Sequence, residues 1–152
     1  MANTYTQIHV HLVFAVQNRL SLIDESWADN LYKYITSIIH NNNHKVLAIG
    51  GMPDHLHLLI GLRPDESLSH LVQEIKRDSS LWINEKRYVN GKFSWQEGYG
   101  AFSYSKSQLL NVTNYILNQK EHHQKKTFIE EYVKVLSDFG LNFDEKYIFK
   151  PV

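Results

Sequence analysis

An α+β fold on the β-α-β-β-α-β plan, the ferredoxin-like or RRM-like arrangement, is predicted by three features of this 152-residue chain. Tyr5–Val16 alternates apolar and polar residues, as a strand buried on one side does. Two stretches of helical periodicity follow, each after a strand-like segment. Short strand-like runs are separated by turn signals, of which Asn90-Gly91 is the strongest. The length suits one domain, residues 1–152, with one sizeable core.

In the first strand, Thr6, Ile8, Val10, Leu12, Phe14 and Val16 share one face, and Tyr5, Gln7, His9, His11, Val13 and Ala15 the other. Ser21–Asp24 reads as a turn into a helix from Glu25 to Asn43, with Trp27, Leu31, Tyr34, Ile35, Ile38 and Ile39 as its apolar stripe. Lys45–Gly50 is a second strand, and Gly51-Met52-Pro53-Asp54 a tight connection to a third, His55–Leu62. Ser67 caps a helix to Lys86 whose face carries Leu68, Leu71, Val72, Ile75 and Trp82. Phe93–Tyr104 reads as an irregular fourth strand, with Gly98 and Gly100 suggesting a bulge or a close approach. Helices at Ser107–His122 and Thr127–Phe139 and an extended tail at Lys146–Phe149 complete the chain. On this plan two helices cover one sheet face and the other face stays open.

Composition excludes several chemistries. The chain contains no cysteine, so disulfides, thiolate metal sites and cysteine nucleophiles are ruled out together, which fits a cytoplasmic protein. No apolar run approaches the length of a membrane span, and Met1–Gln7 lacks the basic-then-apolar design of a signal segment. Formal net charge is zero, but residues 63–126 hold ten Lys/Arg against seven Asp/Glu. Lys76, Arg77, Lys86, Arg87, Lys92, Lys106, Lys125 and Lys126 are the candidate phosphate contacts in that basic stretch. As individuals, they also read as solvated surface charges.

Two patterns carry possible chemistry. His55-Leu56-His57 puts two imidazoles on one face of a strand while Leu56, Leu58, Ile60 and Leu62 face the core. Two neutral imidazoles side by side can bind one divalent cation and leave positions for substrate oxygens. The bare spacing is weak, since nine histidines make a chance pair common and His9-Val10-His11 is a second one. Either pair also reads as half-exposed polar strand residues. Tyr115 and Gln119 lie one helical turn apart on one face, at the polar edge of the Leu109, Val112, Ile116 and Leu117 stripe. A tyrosine packing its ring and solvating its hydroxyl fits that position equally.

Three blocks in order bear on the choice. Met52-Pro53-Asp54-His55-Leu56-His57-Leu58-Leu59 resembles the histidine–hydrophobic–histidine segment of the single-tyrosine HUH transposases of minimal bacterial insertion sequences, the group that includes the REP-associated tyrosine transposases. Trp95–Ser103 is similar to the block those proteins carry before the catalytic helix, and Asn114-Tyr115-Ile116-x-x-Gln119 with His122-His123 to their nucleophile helix. Phe14–Arg19, at the end of the first strand, fits as well. Leu56 departs from the valine that the family often has between its histidines, and the pI of about 7.1 is low for a DNA binder.

The resemblance implies a transposase that cuts and rejoins single-stranded DNA with hairpin ends, with Tyr115 as nucleophile and Mg²⁺ or Mn²⁺ held by His55, His57 and Gln119. Zn²⁺ would compete for such a site. It implies a 5′-phosphotyrosine intermediate, no nucleotide cofactor, no membrane and a homodimer. His9 and His11 would then face the DNA groove beside His55 and His57, or remain surface strand histidines. Two alternatives stand beside this: a domesticated HUH nickase acting on palindromic repeats, and a non-catalytic nucleic-acid-binding module. The latter needs exposed aromatics on the central strands, where only Tyr5 is on offer.

Overall fold

The computed structural model describes residues 4–119, 121 and 127–141. Its elements are β1 (His9–Ala15), α1 (Glu25–Asn41), β2 (Lys45–Met52), β3 (His55–Gly61), α2 (Leu68–Lys86), β4 (Gly100–Ser103), α3 (Leu109–Leu117) and α4 (Phe128–Asp138). The sheet is antiparallel in the order β2-β3-β1-β4, as the ferredoxin-like plan requires. The lysine pair at 125 and 126, the histidine pair at 122 and 123 and the predicted tail at 146–149 lie outside the described residues.

Strand parity decides the packing. Val10, Leu12, Phe14 and Val16 join Leu56, Leu58 and Ile60 on one face, against Trp27, Leu31, Ile35 and Ile39 of α1 and Leu71, Val72, Ile75 and Ile83 of α2. Asp24 caps α1 by accepting from the Ser26 amide, and Ser67 caps α2 by accepting from His70.

The predicted open face is closed. α3 lays Val112 and Ile116 on Ala48 and Leu59, and α4 lays Phe128, Tyr132 and Leu136 on Val13, Ala15 and Phe102. The cause is mutual: these helices each carry an apolar stripe, and the second sheet face supplies small and apolar residues to receive it. Two glycines set the approach. A methyl at Gly50 would collide with the Ile116 carbonyl, and one at Gly100 with the Tyr132 ring and hydroxyl.

Other boundaries differ for local reasons. The first strand begins at His9, opposite Gly61, because Tyr5–Ile8 run past the end of β3. The fourth strand shrinks to Gly100–Ser103, with Trp95 making only an isolated bridge to Val16, since Gly98 turns the chain at φ 84°. The third helix opens as a 3₁₀ turn, Lys106–Gln108, behind a Ser105–Gln108 capping box, and leaves Leu117, predicted to pack, 60% exposed.

Candidate metal and nucleophile site

β3 delivers two imidazoles and β1 a third to the covered face. His11 pairs with Leu59 in register, which makes His57 its diagonal neighbour; Val13 stands opposite His57 and Ala15 opposite His55. Those small partners leave room for the rings. His11, His55 and His57 are each 1% exposed, so the expectation of surface strand histidines is corrected for all three, and the reason is the cover of α3 and α4.

Each β3 histidine is pinned through Nδ1. His55 Nδ1 lies 2.7 Å from Asp54 Oδ1, and His57 Nδ1 lies 2.8 Å from His11 Nε2. Burial alone would raise the Asp54 carboxyl, but the hydrogen bond and charge of His55, with Arg19, outweigh it and hold it below the usual range. Asp54 is therefore an ionised acceptor, and the proton of that bond sits on His55 Nδ1. Burial, and then the charge of His57, press the His11 pKa down to about 3, with Glu131 opposing, so His11 is neutral.

The Nε2 atoms face one small volume. Gln119 Oε1 lies 3.2 Å from His55 Nε2, and Glu131 Oε1 lies 2.9 Å from His57 Nε2 and 3.6 Å from His55 Nε2. The Gln119 amide is oriented, because its Nε2 donates to the Tyr115 carbonyl. Donor atoms of His55, His57 and Glu131 all lie within 4.8 Å of one another. Ligands about 2.1 Å from a common cation stand about 3.0 Å apart in an octahedron and about 3.4 Å apart in a tetrahedron, so these spacings fit a divalent ion.

Tyr115 reaches the same point from α3. Its ring meets His57 edge-on at 5.6 Å and His11 at 6.4 Å, and its hydroxyl interacts with the Glu131 and Gln119 side chains. Burial, then Glu131, push the phenol well above its ordinary pKa, with Gln119 opposing. Beside it a cavity of about 370 Å³ is lined by His11, Tyr104, Asn111, Glu131 and Lys134. A groove of about 800 Å³ on the other side of α3 reaches Gln119 past Gly50 and Gly51.

Of the predicted site residues, Tyr115, His55, His57, Gln119 and His11 come together. His9 stays at the strand end, half-buried. Lys76, Arg77 and Lys86 lie on α2, which packs on the opposite face, and Arg87 is its left-handed cap. Lys76 donates to the Gln96 and Gly98 carbonyls at 2.8 and 2.5 Å, and Arg77 pairs with Asp78. Lys92 and Lys106 are exposed, and of these basic residues only Lys106 stands at the head of α3. Glu131 was missed. It is a carboxylate on the buried stripe of α4, three residues from Phe128, which stacks on His55 at 4.0 Å.

Tyr115 thus stands beside a buried histidine pair on a ferredoxin-like sheet. Residues 4–119 match the family described as transposase, IS200 like, and the chain belongs to that family. The ISDra2 transposase TnpA of Deinococcus radiodurans is 25% identical over 120 residues, covering 76% of this chain and 86% of that protein. A candidate transposase structure from Deinococcus radiodurans superposes with a TM-score of 0.64 at 23% identity, over 78% of this chain and 95% of that one. A REP-associated tyrosine transposase bound to a REP hairpin superposes at 0.57 with 17% identity, over 76% of this chain and 68% of that one. α4 lies beyond the matched segment. No helix among the described residues is long and apolar enough to cross a membrane.

Proposed function

We propose that this transposase, acting as a single domain in the cytoplasm, cuts and rejoins single-stranded DNA through a phosphodiester exchange on Tyr115. The convergence of Tyr115 with His57 and Gln119, and of Gln119 with His55, carries this reading. Tyr115 Oη attacks the scissile phosphorus, the bond to the 3′ oxygen breaks, and the phosphate stays on tyrosine as a 5′-phosphotyrosine. The phenol proton passes out as the 3′-hydroxyl gains one. The tyrosyl ester conserves the phosphodiester energy, so a second strand's 3′-hydroxyl reverses the step without a nucleotide cofactor.

His55, His57 and Gln119 would hold Mg²⁺ or Mn²⁺. When bound, the ion would supply a Lewis acid to the phosphate oxygens and offset the charge building on them, which eases attack by a phenol of high pKa. The chain's own residues do the rest. Asp54 and His11 fix the two imidazoles, Gln119 anchors to the Tyr115 carbonyl, and α3 and α4 exclude bulk water. DNA with hairpin ends is the substrate this reading favours, supported by the hairpin bound to one structural neighbour. A homodimer supplies the two cuts that strand transfer needs. The covered sheet face argues against a non-catalytic base-stacking module.

The test is covalent capture. A single-stranded hairpin oligonucleotide labelled on the 3′ side of the cut is incubated with Mn²⁺ and run on a denaturing gel. The label migrates with wild-type protein, is lost with EDTA and is lost with Tyr115→Phe. An adduct on Tyr115→Phe would refute the assignment.

A further inference from the structure

Side chains of His55, Gln119 and Glu131 bring their polar atoms together at the centre of the site. His55 Nδ1 is taken up by the Asp54 carboxylate, so Nε2 is the atom it turns to the site. Gln119 Nε2 donates to the Tyr115 carbonyl, so Oε1 is the atom it turns to His55. Glu131 Oε1 comes within 3.6 Å of the same Nε2 while lying 2.9 Å from His57 Nε2. Donor atoms of His55, His57 and Glu131 lie within 4.8 Å of one another, and Glu131 is 2% exposed, the spacing and burial that a divalent cation's ligands have.

We infer that Glu131, delivered by α4, is a fourth protein ligand to the divalent ion held by His55, His57 and Gln119. This rests on the metal site of the proposed function and extends it to a residue outside the family-matched segment. The chemistry is specific. Two imidazoles and an amide carry no charge and suit borderline metals; one carboxylate oxygen adds the hard, anionic donor that Mg²⁺ and Mn²⁺ prefer. It would also tie α4 to the strands through the ion, adding to the apolar contacts that hold that face covered. Phe128, stacked on His55 one turn before Glu131, fixes the helix in the register this needs.

Mn²⁺ titration by calorimetry, without DNA, is the test, alongside the rise in Tm that saturating Mn²⁺ produces. Wild type is compared with Glu131→Gln, Glu131→Asp and His57→Ala, each checked for folding by circular dichroism. Glu131→Gln keeps the shape and removes the charge; it is expected to weaken Mn²⁺ binding about tenfold or more and to shrink the Tm rise, with Glu131→Asp recovering part of both. If His57→Ala loses Mn²⁺ and Glu131→Gln binds as wild type does, the Glu131 assignment is overturned and the histidine site stands, even if Glu131→Gln no longer cleaves. If wild type takes up no Mn²⁺, or His57→Ala binds it equally well, the metal site itself is overturned and Glu131 with it.

Discussion

His11 Nε2 lies 2.8 Å from His57 Nδ1, and the pair forms a two-ring relay whose far end points at Glu131. When His57 Nε2 gives its lone pair to a metal, its proton must sit on Nδ1 and His11 must accept it. A neutral His11, at a pKa of about 3, can do so across the working pH range. His11→Ala is expected to cost about 10–100-fold in Mn²⁺ affinity and in single-turnover cleavage, the usual scale for a residue that orients a metal ligand. Unchanged Mn²⁺ affinity would remove His11 from that role.

Gly50→Ala tests the seat of α3. The added methyl collides with the Ile116 carbonyl, which is backbone and cannot swing aside. The helix must lift, taking Tyr115 and Gln119 with it. A Tm lower by about 3–10 °C and a cleavage rate down about 100-fold are expected. Gly91→Ala serves as the control, since its φ of 78° is strained but no atom lies within reach of a methyl. It should lose stability and keep the rate. Equal rate losses in both variants would mean that the Gly50 contact does not position Tyr115.

Lys76 supplies a pH-dependent stability. Burial draws its pKa from 10.5 to about 8, with Glu97 opposing. Between those values the unfolded chain keeps a proton that the folded chain has shed, so stability rises with pH across that window. Below pH 8 the folded chain bears the whole cost of the buried ammonium. Relative to Lys76→Met, wild type should therefore gain in denaturant midpoint from pH 8 to 10.5. A constant difference would show an amine that remains hydrated.

Subunit mixing examines whose tyrosine serves whose histidines. Tyr115 sits against His57 of its own chain, with ring centroids 5.6 Å apart. Combining His57→Ala with Tyr115→Phe should not restore cleavage, even after subunit exchange is confirmed by co-purification of two tags. Recovery would mean that α3 crosses between subunits in the active assembly.

Much of this was legible in the sequence because strand parity is a local property. The alternation of β3 placed His55 and His57 opposite Leu56, Leu58 and Ile60, and the caps Asp24, Ser67 and Thr127 stand beside helices that periodicity had located. The cover of the second face was not legible. Apolar stripes on α3 and α4 say that each helix must be buried, not where, and the docking depends on Gly50 and Gly100 lying far away in sequence. Glu131 escaped for the same reason: beside Glu130 in a first helical turn, it reads as an acid complementing the helix dipole. His11 was named only together with His9, from which nothing local distinguishes it.

The pairing of β1 with β3 has a last consequence. Val10, Leu12 and Phe14 face the core through the same register that aligns His11 with His57. Sliding one strand by a single residue would drive imidazoles into the oily layer and turn leucines towards Glu131. A mispaired chain therefore cannot persist as a stable but faulty nuclease: the error that disarms the site also unmakes the protein. For an enzyme whose business is breaking DNA, quality control is written into the pleat itself.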